Sequence, residues 1–203
     1  MKKYLFFMLF CFGLANFAAQ AQTIEQVTNV PKNETKAEKK AREKKMQAIA
    51  DSVAFVEANN AIDANYFVIT ADKISLGNEG YMYMTPEGST NFILVQGDKA
   101  TVQLAFNNGH LGANGLGGIT VEGTAYGMKK KITKKGDIEY NFNVNGAGIS
   151  AQVSITVYKN SNKTMAYVSP NLNSERMIVY GPLIPYRQGK NNKVHMFKGS
   201  TIP

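Results

Sequence analysis

A glycine-rich stretch is the nearest approach to a chemical motif in this sequence. It runs from Gly109 to Gly123 as GHLGANGLGGITVEG. Glycine loops hold phosphate when they open a helix, because the helix N-terminus supplies free amides and the positive end of a dipole. The residues that follow, ITVEGTAYG, instead alternate as in a strand. We predict a plain connection; the alternative is the rim of a binding mouth, with His110 and Asn114 against a ligand.

Few residues could form a catalytic or metal site. The two histidines are His110 and His195, and neither adjoins the G-x-S-x-G motif of serine hydrolases. Zinc needs three or four ligands at short spacing, and the single cysteine is Cys11. We therefore predict no catalytic residues, no metal and no cofactor. The alternative is a hydrolase acting on envelope glycan or lipid, with Glu122 and His110 at the edge of a cleft.

Five lysines are concentrated in one predicted hairpin: Lys129, Lys130, Lys131, Lys134 and Lys135. Concentrated positive potential attracts anionic partners such as lipid A head groups, acidic glycans or nucleic acid. Lysines on strands also protect a sheet edge from pairing with other chains and keep a protein soluble. We favour the second interpretation. Lys129, Lys130 and Lys131 remain candidate ligand-binding residues together with Glu122, for weak polyanion binding without a specific nucleic acid.

The N-terminus is typical of an exported protein. Residues 1–21 read MKKYLFFMLFCFGLANFAAQA, with two lysines, an apolar run and an A-x-A cleavage site. The apolar run is shorter than the roughly 20 residues that cross a bilayer. Cys11 follows the bulky Phe10, which argues against a lipoprotein signal. We predict a signal peptide cleaved after Ala21, a periplasmic or secreted protein, and no membrane-spanning segment after cleavage.

Cleavage changes both the charge and the chemistry of the chain. Loss of Lys2 and Lys3 lowers the formal net charge from +8 to +6, and loss of Cys11 leaves no cysteine. The mature fold must therefore be held by an apolar core. Residues 22–65 contain seven basic and seven acidic residues, whereas residues 66–203 contain fourteen and eight. All of the net positive charge thus belongs to the second part.

A charged helix precedes the second part. Residues 22–34 are polar, without periodicity, and predict a flexible leader. Thr35 and Glu38 have the spacing of a capping box, in which each side chain bonds the other residue's backbone amide. We predict an amphipathic helix over residues 35–60, with its large apolar residues in one stripe on the second half: Met46, Ile49, Val53 and Val56.

Residues 66–203 are predicted to form an antiparallel β-domain. Short β-branched and aromatic runs alternate with polar residues, and turn signals such as KKGD and KNSNK separate them. The spacing leaves no room for crossover helices, so about nine strands should form a barrel or sandwich. An apolar cavity or sheet face for binding would be built from aromatic and aliphatic residues such as Phe67, Ile69, Tyr81, Tyr83, Phe92, Leu94, Tyr140 and Phe142.

The order of these features resembles one family. The phrases FVITADKI, NFILVQGDKATVQL, GGITVEG with the lysine hairpin after it, and YGPLIP are similar to exported Bacteroidetes proteins known only as a domain of unknown function. The resemblance covers most of the mature chain and implies an all-β domain with an N-terminal helix. It carries over no catalytic residue. We expect an exported, non-enzymatic β-domain that binds a ligand or partner in the cell envelope.

Export predicts a defined N-terminus for the mature protein. N-terminal sequencing of protein purified from its own cell envelope should begin at Gln22, because the small residues before it suit signal peptidase. Recovery of an intact Met1 or a lipidated Cys11 would contradict export by this route.

Overall fold

The computed structural model describes residues 34–76, 81–83, 90–105, 118–171 and 176–186. The predicted signal peptide and the leader up to residue 33 lie outside the described residues, as do His110 and Asn114. For residues 81–83 the backbone alone is described. The described residues include no helical segment with the length and hydrophobicity of a membrane span.

Helix α1 (Lys36–Asp63) begins at the predicted capping box. The Thr35 backbone N–H donates to Glu38 Oε2 at 2.9 Å, and the Glu38 N–H donates to Thr35 Oγ1 at 3.3 Å. The Thr35 hydroxyl also donates to Glu38 Oε2, at 2.7 Å. The hydrogen bond from the Thr35 backbone N–H, and after it the one from the Thr35 hydroxyl, lower the pKa of the Glu38 carboxyl. After Asp63 the chain turns out of the helix at Asn65, whose φ of 54° is the left-handed conformation common after helix ends. The capping prediction is confirmed.

The predicted apolar stripe of α1 is wrong in its second half. Val56 is 54% exposed and Val53 is also exposed. The buried residues of the helix are Ala58, Ala61 and Ile62, which lie on a different face and belong to the core of the strands. The helical spacing of apolar residues in the sequence predicts burial of the larger side chains. Close packing at the helix end instead selects two alanines, because short side chains allow a near approach.

Ten antiparallel strands follow in the described residues. They are β1 (Tyr66–Thr70), β2 (Lys73–Leu76), β3 (Tyr81–Tyr83), β4 (Phe92–Gln96), β5 (Lys99–Ala105), β6 (Gly118–Ile132), β7 (Ile138–Gly146), β8 (Ser150–Val157), β9 (Lys163–Pro170) and β10 (Met177–Pro185). The order β1-β4-β5-β6-β7-β8-β9-β10 returns to β1, since β10 also pairs with β1. The domain is therefore a closed eight-stranded barrel, and not a sandwich, with β2 and β3 beside it.

The chain leaves the sheet briefly between β1 and β2, and this break allows β10 to pair with both of these strands. β10 pairs with β1 near its C-terminal end, where Val68 lies opposite Ile184, and with β2 near its start, where Ile74 lies opposite Val179. Gly181 of β10 faces the break. A Cβ atom there would lie 1.8 Å from the Thr70 carbonyl oxygen, so only glycine fits.

The barrel interior is filled by alternate residues of its eight strands. Phe67 and Tyr140 meet edge to face with ring centroids 5.7 Å apart, and Tyr140 lies 5.7 Å from Phe142. Phe67, Ile69, Tyr140 and Phe142, predicted to build a binding surface, are buried in this core together with Ile62. Phe92 and Leu94 lie in a second buried cluster with Val68. Phe67, Ile69, Tyr140 and Phe142 therefore pack the core and do not lie on an exposed sheet face.

Candidate functional site

The hairpin of β6 and β7 extends beyond the rest of the barrel wall. β5 pairs with β6 as far as Thr124, whereas β7 pairs with it as far as Ile132. The register shifts between Tyr126 and Lys129, at a bulge that contains Gly127 with φ of 66°. Because an extra residue changes which face the following side chains occupy, Lys130 lies opposite the inward Tyr140. Lys129 and Lys131 are exposed on the other face.

Lys130 is held by the end of the helix. Its Nζ donates to Asp63 Oδ1 at 2.6 Å and to Asn59 Oδ1 at 2.7 Å. The Lys130 side chain is partly buried, with 23% of its surface exposed, whereas that of Asp63 is half exposed. Asp63 therefore compensates the charge of Lys130, which sets this lysine apart from its two neighbours in the predicted binding cluster.

A second contact joins the residues after the helix to the other strand of the hairpin, β7. The Tyr140 hydroxyl donates to Asn65 Oδ1 at 2.5 Å. Burial raises the pKa of Tyr140 to about 12, so the phenol stays protonated and keeps its donor at neutral pH. Asn65 is the left-handed residue that ends the helix. The helix end is thus anchored to the β6–β7 hairpin on two sides, by Lys130 and by Tyr140.

Lys129 and Lys131 lie on the overhanging part of β6. Among the described residues, β7 is the only strand that pairs with β6 beyond Thr124. Lys131 comes within 3.9 Å of Glu139, and both side chains are exposed, so this pair contributes little to stability. Charged residues on a strand with one neighbour hinder pairing with other chains, and edge protection accounts for these two lysines.

Two turns lie side by side at the end of this overhang. In the first, Thr133 and Asp137 are joined by a backbone hydrogen bond of 2.9 Å. The second connects β8 to β9, and the Lys159 N–H donates to Asp137 Oδ1 at 2.9 Å. We call residues 131–137 and 158–163 the basic tip. It has five lysines and one aspartate, and the lysines are Lys131, Lys134, Lys135, Lys159 and Lys163.

The basic tip also carries apolar surface. Ile132 is 63% exposed although its register partner Ile138 is buried. Tyr158 is 40% exposed, and its hydroxyl lies 3.7 Å from Met165 Sδ. The β6 strand therefore ends with an isoleucine that the barrel does not cover and that has lysines before and after it in the sequence.

The remaining sequence candidates lie elsewhere. Glu122 is exposed on β6, opposite Thr101, and it has interaction partners. It precedes Ile132 by ten residues of the same strand, a separation of about 30 Å at 3.3 Å per residue. The structure thus does not bring Glu122 to the basic tip. In the described ranges, no three histidine, cysteine, aspartate or glutamate residues lie close enough to hold a metal ion.

Sequence reasoning missed the contribution of Lys159, Lys163, Ile132 and Tyr158. The sequence predicts the turns KKGD and KNSNK, but it does not predict that they lie side by side. A signal was available, because four consecutive hairpin-connected strands place the first and third turns at the same end of a sheet. The exposure of Ile132 had no such signal, since it depends on where the helix and neighbouring strands end.

The fold and the tip define a closed antiparallel β-barrel with an N-terminal helix and a basic, partly apolar turn surface. A model of the family described as a domain of unknown function, DUF4251, matches residues 49–183. The chain belongs to this family. It is similar to the crystal structure of a DUF4251 family protein from Bacteroides eggerthii, with a TM-score of 0.60 and 38% identity. The match covers 68% of this chain and 91% of that one.

These two matches confirm the family resemblance predicted from the sequence. The similar crystal structure comes from a Bacteroides species, which agrees with the resemblance to Bacteroidetes proteins. A comparison with curated proteins gives no match.

A double-mutant cycle should detect the anchoring of the helix end. We expect Lys130→Gln and Asp63→Asn to be coupled by about 1 kcal/mol in the free energy of unfolding, because Lys130 is partly buried and its Nζ lies 2.6 Å from Asp63 Oδ1. Urea denaturation of the four proteins measures this coupling. The matched control is Lys131→Gln with Glu139→Gln, an exposed pair whose coupling should be close to zero. Equal coupling in the two cycles would show that Lys130 does not anchor the helix.

Proposed function

We propose that the protein is an exported, non-enzymatic β-barrel domain that binds an anionic partner in the cell envelope through the basic tip. The observation that carries the proposal is the 63% exposed Ile132 within a cluster of lysines on two joined turns. Exposed apolar residues with charged neighbours are typical of interaction sites.

The position of the lysines supports binding over edge protection. Lys134 and Lys135 lie in the turn after β6, and Lys159 lies in the turn after β8. Turn residues do not form a strand edge, so protection from pairing with other chains does not explain them. Asp137 is the one acidic residue of the two turns, and its carboxylate accepts a backbone N–H. The local potential is therefore positive.

The hydrogen bonds of the turns support a preformed surface. Gly136 N–H donates to the Thr133 carbonyl at 2.9 Å, and Asp137 N–H donates to Thr133 Oγ1 at 3.1 Å. A side chain on Gly136 would also come within 2.9 Å of Lys159 Cδ, so glycine permits the close approach of the two turns. A surface that is ordered before binding loses less conformational entropy on binding.

The export signal supports an envelope location for the partner. The chain begins with a predicted cleavable signal, and an exported protein meets anionic lipids and glycans at the cell envelope. The mature chain has a formal charge of +6, all of it from the part that contains the barrel. Long-range attraction to an anionic surface follows from this distribution.

Removal of the tip charges should weaken binding to a soluble polyanion. We expect Lys134→Gln/Lys135→Gln/Lys159→Gln to lower the affinity for heparin roughly tenfold at low salt and to flatten its salt dependence. Fluorescence titration of the mature full-length chain at several salt concentrations measures both effects.

The matched control removes the same charge from the helix, as Lys39→Gln/Lys40→Gln/Lys44→Gln, three exposed lysines. Its affinity should stay close to that of the parent protein. If the parent protein does not bind, or if the helix variant loses as much affinity as the tip variant, the basic tip is not a specific binding surface.

A further inference from the structure

We infer that the partner of the basic tip is the surface of an anionic lipid bilayer, into which Ile132 inserts. This inference rests on the proposed function, because it names the class of partner that the same surface binds. It is carried by the combination of exposed apolar and exposed basic groups in one small area.

A soluble polyanion would leave the apolar groups unexplained. Electrostatic attraction to phosphate or sulfate requires lysines, but it gains nothing from an isoleucine exposed over 63% of its surface. A bilayer accepts both kinds of group. Apolar side chains enter the boundary between head groups and acyl chains, while lysines interact with the anionic head groups above it.

The geometry of the basic tip suits a bound state in which Ile132 lies deeper in the bilayer than the lysines. Ile132 is the last residue of β6, at the end of the overhanging hairpin. Lys134 and Lys135 follow Ile132 closely in sequence, and their long side chains can reach the head groups while their methylene stems follow the apolar boundary.

Tyr158 provides a second interfacial group. It begins the neighbouring turn, is 40% exposed, and contacts Met165 Sδ through its hydroxyl. Tyrosine is favoured at the level of the head groups because its ring is apolar and its hydroxyl polar. Ile132 therefore precedes one, and Tyr158 begins the other, of the two turns that the Lys159–Asp137 hydrogen bond joins.

The charge of the tip sets the expected selectivity. Each lysine close to an anionic membrane strengthens partitioning by about fivefold, and the effect decreases within a Debye length. The three turn lysines should together strengthen partitioning about 100-fold over a neutral membrane. Lys130 does not contribute in the same way, since Asp63 compensates its charge.

The test compares vesicles with a soluble polyanion, using the mature full-length chain. The vesicles are phosphatidylcholine alone, or phosphatidylcholine with phosphatidylglycerol, and the soluble polyanion is heparin. The tip variant is Ile132→Ser, and the matched control is Val56→Ser, which removes a similarly exposed β-branched residue from the helix. Co-sedimentation measures vesicle partitioning, and fluorescence titration measures heparin affinity.

We expect binding to the anionic vesicles and much weaker binding to neutral ones. Ile132→Ser should weaken vesicle partitioning about tenfold and leave heparin affinity unchanged, since burial of an isoleucine side chain in the interface is lost. Val56→Ser should change neither. Ile132→Trp should strengthen vesicle partitioning, because tryptophan is favoured at the interface.

Each contrary result has a distinct meaning. Equal partitioning of the parent protein, Ile132→Ser and Ile132→Trp overturns insertion into a bilayer. Heparin binding without vesicle binding also overturns the lipid inference, while the proposed function stands. Binding to neither overturns both.

Discussion

The closure of the barrel by β1 and β10 is the constraint on which the rest of the structure depends. Three register pairs close it, and they include Val68 opposite Ile184. Without them β1 and the C-terminal part of β10 would each present an unpaired edge, and interior residues such as Phe67 would lose their enclosure. Closure also requires the chain to break between β1 and β2, where Gly181 of β10 allows the backbones to approach.

The β6–β7 hairpin extends beyond the barrel because the strands of the closed barrel differ in length. β6 is longer than its neighbour β5, so its end has β7 on one side and the end of the helix close by. Lys130 and Tyr140 fix the inner side of this overhang by hydrogen bonds to Asp63 and Asn65. The outer end, with Ile132, has no such cover. One hairpin thus anchors the helix and presents the proposed binding surface.

The sequence predicted the elements whose signals are local. The Thr35–Glu38 cap is observed. The predicted alternation of buried and more exposed residues is seen in β8, where Val153, Ile155 and Val157 are buried. Long-range features were not predicted, because strand partners across a closing seam leave no local pattern. The orientation of Lys130 was missed for a specific reason. The bulge at Gly127 shifts the register by one residue and exchanges the two faces of the strand.

Hydrogen exchange of the mature full-length chain, with and without phosphatidylglycerol-containing vesicles, tests most directly the claim that the basic tip is the binding surface. The account predicts slower exchange at residues 131–137 and 158–163, with unchanged exchange in β1, β4 and β5. The tip should be protected because lipid excludes water from it, while the closed barrel keeps its hydrogen bonds. Protection centred on the barrel wall or on helix α1, or no change at the tip, would contradict the account.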